Sequence, residues 1–350
     1  ENIIKHYLKN RKKAYERLMS LSQYYFPIFE ESLAKYNVPL EIKYLAVVES
    51  ALNPLAVSKA GATGLWQFMY GTGKQYNLDI TTYTDERSDM LKATEAACQY
   101  MVNMYAIFGD WDLVLASYNA GPGNVTKAIR RSGGKQNYWN IRPYLPKETQ
   151  GYVPAFLATL YIYEYKKEHG LQPKKAPMTY FETDTVMVKK QMSFKQISDL
   201  LDIPVDQLEF LNPIYKLKVI PFEADKPHYL RLPKNKMGVF VSNEEKIYAY
   251  LNYLETYKEK TKTEFIASTS KDSIASGIDS TSTVVNKPKF ERKTQFHTIK
   301  SGESLGKIAD KYNVSISELK KWNSIKGNNI QAGKKLKIYS DKKIITKTES

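Results

Sequence analysis

In the C-terminal half of the sequence, the same succession of short strand-like and helical segments occurs twice. Between residues 187 and 233, β-rich pieces flank the helical stretch SFKQISDLLDIPVDQLEFLNP. Residues 296–339 repeat this order with an alternating strand, a helix after Ser301, a second helix SISELKKWN and the closing strand KKLKIY. A plan repeated at one end of a chain indicates tandem structural units. The repeat therefore predicts two small βααβ modules of a binding type.

Residues 1 to about 170 follow a different pattern. Their apolar residues recur at three- and four-residue spacing, broken by Pro, Gly and Asn, which predicts one all-α domain. Between the two modules, a helical segment leads into the stretch STSKDSIASGIDSTSTVVNKP, whose composition predicts a flexible linker. We therefore predict a multidomain α+β chain. Its parts are an all-α domain (1–175), a first module (180–235), a helix with the linker (236–293) and a second module (294–340).

The charge of the chain narrows the class of partner. The chain has 52 Lys and Arg against 37 Asp and Glu, a formal net charge of +15 at pH 7. This excess favours an anionic partner, which leaves nucleic acid, a membrane surface and an acidic cell-wall polymer open. No apolar run approaches the ~20 residues of a membrane-spanning helix. Residues 1–13 lack the apolar core of a signal peptide, so we expect an export signal that is absent or already removed.

Cysteine and histidine usage predicts no metal and no cofactor. Cys98 is the single cysteine, so the chain forms no intramolecular disulfide, and its helical context EAACQYMVNMY predicts a small buried hydrophobe. The four histidines are scattered, and their spacing does not resemble a zinc site.

One acidic residue lies on the apolar side of a predicted helix. In PLEIKYLAVVESALNP, Ile42, Leu45, Ala46 and Glu49 recur at three- and four-residue intervals, so the carboxylate of Glu49 shares the inward face. Pro54 disfavours helix at the residue before it, which places Glu49 in or near the last turn. Partial burial and the negative end of the helix dipole both disfavour the ionised form. We therefore predict a raised pKa for Glu49, as a general acid requires. The ordinary alternative is a carboxylate that reaches solvent at a helix end.

Two later segments place polar and aromatic side chains near helix ends. GATGLWQFM combines glycines, which permit close backbone approach, with the amide of Gln67. LASYNAGPGNV places Tyr118 and Asn119 at the end of another apolar helix. Together with a protonatable acid, these groups predict a sugar-binding cleft. Taken singly, each has a structural explanation, with Trp66 and Trp111 in the core and Asn119 as a helix cap.

Three segments match a known family in order and spacing. ESALNPLAVSKAGATGLWQFM, LASYNAGPGNV and ETQGYVPAFLA resemble the signature segments of the lytic transglycosylases with a goose-type-lysozyme-like fold, in the membrane-bound branch called type D. The resemblance covers about residues 15 to 165. Residues 296–339 resemble a LysM module, a peptidoglycan-binding βααβ fold, through SGESLGKIA and NNIQAGKKLKI. Residues 187–233 resemble a degenerate LysM module that lacks the Gly-Asp/Glu-Ser/Thr-Leu turn.

This resemblance implies a lyase that acts on the β-1,4 bond between N-acetylmuramic acid and N-acetylglucosamine. Ordinary glycosidases use two carboxylates, whereas substrate-assisted enzymes are exceptions, and this family looks like such an exception. Glu49 would protonate the leaving oxygen while the muramyl N-acetyl group stabilises the positive charge at C1. Glu49 would then take the proton of the C6 hydroxyl as that oxygen attacks C1. The product would carry a 1,6-anhydromuramyl end, and no water would be consumed.

The resemblance also implies roles for further residues. Ser58 would orient Glu49 or the substrate acetamido group. The residues expected to line the cleft or contact sugar are Gln67, Met69, Tyr118, Asn119 and Tyr152. In the LysM module, the two loops expected to hold N-acetyl sugars contain Gly302, Ser304, Leu305, Asn329 and Ile330, where a purely structural role for the leucine and isoleucine is a fair competitor. The sequence departs from the family pattern at Tyr70, where Pro is frequent, and at Asn77, where Gly is common and a left-handed backbone is expected.

Two other functions remain open from the sequence. A muramidase would hydrolyse the same bond with a positioned water and a second acid, for which the candidates are Asp85, Glu86, Asp89 and Glu148. Asp89 is better explained as a helix N-cap, and Glu148 as a structural or capping acid. The third possibility is a non-catalytic peptidoglycan-binding scaffold.

The lyase interpretation carries expectations about partners and location. We expect peptidoglycan glycan strands as the partner, no nucleic acid and a monomeric chain exported to the bacterial cell envelope. Any membrane association would come through an N-terminal anchor that is missing from this sequence.

Overall fold

The described part of the chain consists of helices and antiparallel strand pairs. The computed structural model describes residues 1–269, 291–300, 303–312, 316–323, 325 and 330–342. The chain divides into two compact units, Glu1–Ala267 and Ser268–Ser350. Most of the predicted linker, residues 270–290, lies outside the described residues. The predicted multidomain α+β class is confirmed.

The N-terminal part is a helical domain. Its α-helices are α1 (Asn2–Lys35), α2 (Leu45–Ser50), α3 (Tyr70–Gln75), α4 (Met90–Phe108), α5 (Trp111–Ala120), α6 (Pro122–Arg131), α7 (Tyr138–Ile141) and α8 (Lys147–Glu164). Short 3₁₀ helices occupy Leu40–Tyr44, Glu86–Ser88, Arg142–Tyr144 and Tyr180–Glu182. No helix within the described ranges combines the length and the apolar character needed to cross a membrane.

The core of this domain surrounds α5, where every side chain from residue 113 to residue 117 is buried. Trp66 is fully buried and donates its indole N–H to Thr94 Oγ1 at 2.9 Å, whereas Trp111 is only partly buried against the same cluster. Cys98 is fully buried, as its sequence context predicts. Asp89 caps α4 by accepting hydrogen bonds from the backbone amides of residues 91 and 92, which confirms its predicted role.

A module follows that we call the central module, residues 183–251. Its elements are β1 (Thr183–Val188), β2 (Met192–Ser193), α9 (Phe194–Leu201), α10 (Val205–Leu211), β3 (Val219–Ile220), β4 (His228–Pro233), α11 (Lys234–Ser242) and the start of α12 (Glu244–Thr269). Strands β1 and β4 pair antiparallel from Thr183↔Pro233 to Val188↔His228. Phe240, Ile247 and Leu251 belong to the buried cluster of this module, so its core extends beyond residue 235.

The C-terminal module, residues 291–342, repeats the plan. It contains β5 (Glu291–Thr298), α13 (Leu305–Tyr312), α14 (Ile316–Asn323) and β6 (Lys335–Lys342). Strands β5 and β6 pair antiparallel from Glu291↔Lys342 to Thr298↔Lys335. Its own core contains Leu305, Ile308, Leu319 and Ile338.

An asparagine makes the same contacts in both modules. Asn212, just after α10, accepts a hydrogen bond from the Arg231 amide at 2.7 Å and donates to the Arg231 carbonyl at 2.9 Å. Asn323, at the end of α14, makes the equivalent pair with Lys337 at 2.7 and 2.8 Å. Each side-chain amide therefore ties the second helix to the closing strand, so the two modules share this contact as well as their order of segments.

Candidate active site

The helix that carries Glu49 ends where the sequence predicts. Helix α2 stops at Ser50, and the next two residues, Ala51 and Leu52, adopt left-handed backbone angles with φ of 52° and 58°. The amides of these two residues donate to the carbonyls of Val47 and Ala46 and so close the helix end. Glu49 is therefore held in the last turn, one residue before the chain reverses.

Two tyrosines act on the carboxyl group of Glu49, which is partly buried. The hydroxyl of Tyr152, a buried residue on α8, donates a hydrogen bond to Glu49 Oε1. Burial raises the pKa of Glu49 to about 7, the hydrogen bond from Tyr152 opposes this rise, and the negative charge of Glu148 adds to it. The pKa of Tyr118 is also raised, by its burial and then by the charge of Glu49. No lysine or arginine among the described residues forms an ion pair with Glu49.

The loop after α2, residues 56–69, is tied to the same site. Ser50 Oγ donates to the Leu65 carbonyl at 2.8 Å, and the Tyr118 hydroxyl donates to the Trp66 carbonyl at 2.6 Å. Gln67 has a positive φ of 50°, and its side-chain amide donates to carbonyl oxygens of the loop at 2.9 and 3.1 Å. The loop therefore has a defined position beside Glu49.

Four of the predicted site residues line one pocket. Gln67, Met69, Tyr118 and Asn119 face a cavity of about 380 Å³, which also touches α3 and the start of α6. Met69 is 46% exposed at its rim. Glu49 is not among the lining residues, but Tyr118 lines the pocket and the charge of Glu49 acts on the Tyr118 hydroxyl.

A residue that the sequence did not single out fixes Asn119. Thr149, fully buried near the start of α8, donates its hydroxyl to Asn119 Oδ1 at 2.7 Å. Thr149 and Tyr152 are three residues apart and so share a face of the helix. That spacing, within the motif ETQGYVP, was the available signal for Thr149. One face of α8 therefore holds both Asn119 and Glu49.

Ser58 lies in the loop that follows α2, and its role in orienting Glu49 or the substrate acetamido group stays a prediction. It is exposed, and its hydroxyl accepts a hydrogen bond from the Ala62 amide at 3.0 Å, which closes a turn. Its proposed contact with Glu49 is not among its hydrogen bonds in the structure. Of the two departures from the family pattern, Tyr70 is 56% exposed at the start of α3. Asn77 has the predicted left-handed backbone, with φ of 61°.

Three of the four candidate second carboxylates have structural partners. Asp85 pairs with Arg87 through both carboxylate oxygens, at 3.0 and 2.7 Å. Glu86 pairs with Lys92 at 2.5 Å, and Asp89 caps α4. Glu148 is exposed, and its charge acts on Glu49. Over the described ranges, no group of three or more His, Cys, Asp and Glu side chains is placed to hold a metal ion.

The predicted sugar-contacting residues of the C-terminal module are only partly described. Ser304 is exposed, Leu305 is buried in the module core, and Ile330 is partly buried against that core. Gly302 and Asn329 lie outside the described residues. The burial of Leu305 is what a structural role requires.

The chain is similar to known families in three consecutive regions. Residues 26–141 match the Transglycosylase SLT domain, residues 182–249 match the LysM-like domain of the lytic transglycosylase MltD, and residues 297–338 match the LysM domain. The matched regions account for the helical domain, the central module and the C-terminal module in that order.

Individual relatives agree with these matches. The membrane-bound lytic murein transglycosylase D of Escherichia coli K12 is 29% identical over 344 residues, which cover 95% of this chain and 67% of the relative. The soluble lytic murein transglycosylase of the same strain is 32% identical over 127 residues, or 35% of this chain and 20% of the relative. The crystal structure of the 70 kDa soluble lytic transglycosylase from E. coli aligns with 41% of this chain and 24% of its own, at 30% identity and a TM-score of 0.35.

Proposed function

We propose that this chain, which belongs to the lytic transglycosylases through its SLT domain and its LysM modules, cleaves peptidoglycan with Glu49 as its single acid and base. The bond would be the β-1,4 linkage between N-acetylmuramic acid and N-acetylglucosamine. One observation carries the proposal: Glu49 has no cationic partner among the described residues, and burial raises its pKa to about 7. Near neutral pH, a substantial fraction of Glu49 is therefore protonated and able to act as an acid.

The first step is a proton transfer from Glu49 to the glycosidic oxygen. The C1–O bond breaks, the N-acetylglucosamine leaves with that proton on its 4-oxygen, and the muramyl N-acetyl oxygen stabilises the positive charge at C1. Glu49 is now a carboxylate whose ionised form is disfavoured by burial, the largest influence on its pKa. It is therefore well suited to accept a proton in the next step.

The second step restores the acid. Glu49 takes the proton of the muramyl C6 hydroxyl while the C6 oxygen bonds to C1, which gives a 1,6-anhydro end. The protons balance, because Glu49 gives one and regains one, and no water enters the products. A second carboxylate has no task in this sequence.

The neighbouring side chains fix the position of Glu49 and present polar groups to the sugar. Tyr152 donates to Glu49 Oε1, which fixes the carboxyl group and leaves its other oxygen free for the substrate. Thr149 orients the amide of Asn119 towards the pocket by occupying its oxygen. The pocket of about 380 Å³ falls in the size range of small-ligand sites and presents amide and hydroxyl groups that suit N-acetyl sugars.

The competing function is that of a muramidase, and one observation about a possible second acid supports testing it. Asp85, Glu86 and Asp89 are engaged in ion pairs or a cap, but Glu148 is exposed and close enough for its charge to act on Glu49. A hydrolase would need Glu148 to activate a water.

The proposal places the activity where peptidoglycan is found, in the bacterial cell envelope. The proposed steps use residues of a single copy, and we propose that the chain acts as a monomer. The C-terminal LysM module would raise the local concentration of glycan strands around the catalytic domain through its connection to it.

The deciding experiment identifies the product ends. Purified peptidoglycan is digested with the chain, and the released muropeptides are weighed. The proposal expects products one water lighter than hydrolytic ones, with 1,6-anhydro ends, and none from Glu49→Gln. Glu148→Gln should give the same products as the parent chain. Reducing ends that vanish in Glu148→Gln would establish the muramidase instead.

A further inference from the structure

The central module is joined to the helical domain by backbone pairing. Thr84 and Tyr215 form an antiparallel bridge. On either side of it, the Asp85 amide donates to the Ile214 carbonyl and the Lys216 amide donates to the Tyr83 carbonyl, both at 2.9 Å. Residues 83–85 and 214–216 are thus linked as two short strands are, and we call this contact the junction.

Side chains reinforce the junction on both sides. Phe210 of the central module packs between Tyr24 and Tyr25 of α1, with ring centroids 5.0 and 6.0 Å apart. Leu211 is buried in the core of the helical domain rather than in that of its own module. Lys226 forms an ion pair with Asp79. Aromatic packing, apolar burial and charge therefore act together at one place.

The segment of the helical domain that pairs with the central module also holds residues 61–69 of the loop after α2. We call these residues the cleft loop. Two residues after Asp85, the guanidinium of Arg87 donates to the Gly61 carbonyl at 3.0 Å and to the Phe68 carbonyl at 3.2 Å. Its other N–H groups bind both oxygens of Asp85. Arg87 therefore clamps the two ends of residues 61–68 to a segment whose position the junction sets.

The backbone of the cleft loop lies against the backbone of Arg87. Gly64 lies so close to Arg87 that a Cβ on Gly64 would fall 1.8 Å from the Arg87 carbonyl oxygen. On its other side the same loop receives the hydrogen bonds of Ser50 and Tyr118, which border Glu49 and the pocket. The loop is thus held between the candidate active site and Arg87.

We propose that the central module is a structural brace of the catalytic cleft, and that Arg87 is the positioning residue through which its docking fixes the loop of residues 61–69. The residues that follow α10 are used for docking, because the backbone of 214–216 is paired with the helical domain. They are therefore closed to a ligand. The central module acts as part of the catalytic unit, in contrast to a tethered binding domain. The catalytic consequence of the brace rests on the function proposed above, whereas the bracing itself does not.

Hydrogen exchange of the full-length chain tests the brace without relying on activity. The amides of Thr63 and Phe68 are bonded to each other's carbonyls in the cleft loop, so their exchange reports how firmly the loop is held. One variant, Phe210→Ala with Leu211→Ala, loosens the docking and leaves the module's own core intact. Arg87→Lys removes the guanidinium group, which donates hydrogen bonds to two carbonyl oxygens and to Asp85. Phe222→Ala is the matched control, because Phe222 is 55% exposed on the same module and takes no part in the junction contacts described above.

We expect the exchange of Thr63 and Phe68 to quicken about tenfold in both test variants and to stay at the parent rate in Phe222→Ala. Faster exchange at Asp85 and Lys216 with unchanged Thr63 and Phe68 in the docking variant would overturn the brace. If that variant does not fold, the exchange rates of the Thr63 and Phe68 amides in Arg87→Lys decide between the two outcomes.

Turnover of soluble glycan strands completes the test of Arg87. A positioning role predicts that Arg87→Lys lowers kcat about tenfold or more with a smaller change in KM. A loosened loop with unchanged kcat would refute the positioning role. Failure of the parent chain to release anhydro products would instead count against the proposed function, and the exchange result would still stand.

Discussion

Two carboxylates, Glu49 in the cleft and Asp79 in an ion pair that reinforces the junction, are held in opposite states. Glu49 lies beside Tyr118 and Tyr152 with no ion-pair partner in the described part of the chain, and burial raises its pKa to about 7. Asp79 accepts hydrogen bonds from Lys226 and Lys74, which lower its pKa to about 2. One acid is thereby kept ready to give a proton, and the other is kept ionised as an anchor.

This difference shows that the function of an acid here depends on its partners more than on its place in sequence. Both residues lie close to a chain turn, and thirty residues separate them. Burial without a cation suits proton transfer, whereas exposure beside two lysines suits docking. Each of the following changes tests one side of that contrast.

The largest expected effect is the loss of turnover in Glu49→Gln. A glutamine keeps the shape and the burial but supplies no proton, so we expect the release of anhydro products to fall by at least about a thousandfold. Asp79→Asn is the contrasting variant and should stay within a few-fold of the parent rate. Rates are measured by mass spectrometry of products from purified peptidoglycan. Turnover within tenfold of the parent in a folded Glu49→Gln chain would contradict the role of Glu49.

The next largest effect is expected at Gly64, where the cleft loop touches the junction segment. Gly64→Ala places a methyl group against the Arg87 carbonyl at a φ of +90°, so we expect a loss of at least about 3 kcal/mol in the free energy of unfolding. Gly61 also has a positive φ, +84°, but open space around it. Gly61→Ala should therefore cost only about 1 to 2 kcal/mol. Denaturant unfolding of the two variants provides the measurement, and equal losses would mean that the close approach does not matter.

Much of the fold could be predicted because its signals are local. The three- and four-residue spacing predicted the helices, Asp89 predicted a cap, and Pro54 predicted the end of α2. The repeated order of segments predicted two modules. The sequence did not indicate that Phe240, Ile247 and Leu251 join the central core, because an amphipathic helix does not specify which surface it covers.

The site could be predicted only in part, for the same physical reason. Glu49 was found because helical spacing places it beside apolar residues, and Tyr118 and Asn119 were found because they end another apolar helix. The resemblance supplied Tyr152. Arg87 was missed, since its partner Gly61 is 26 residues away and no local pattern encodes such a contact. Thr149 was missed because its partner Asn119 is 30 residues away, although its spacing from Tyr152 was an available signal. Side chains that act by reaching distant backbone or amide groups become visible only in three dimensions.

The pH dependence of turnover should locate the pKa of Glu49. Since the first step needs the protonated acid, we expect kcat/KM to fall as the pH rises through about 7. The hydrogen bond from Tyr152 stabilises the ionised form, so Tyr152→Phe should move this descending limb to higher pH by about one unit. Asp79→Asn should leave the limb in place. A limb that stays fixed in Tyr152→Phe would show that another group controls it.

The smallest effect is expected in the stability of the junction at low pH. Because the pKa of Asp79 is lowered in the folded chain, its stabilising contribution is present above its ordinary pKa of 3.8 and is lost as the pH falls towards about 2. More than a third of the Asp79 side chain is exposed, so the contribution should stay below about 1 kcal/mol. Asp79→Asn should therefore be slightly less stable than the parent at pH 6 and equal to it near pH 2.

Glu49→Gln should show the opposite dependence, because the raised pKa of Glu49 destabilises the parent increasingly as the pH rises from 4.5 to about 7. Parallel urea titrations at these pH values would reveal both trends, and trends of the same sign in the two variants would break the contrast between cleft and junction.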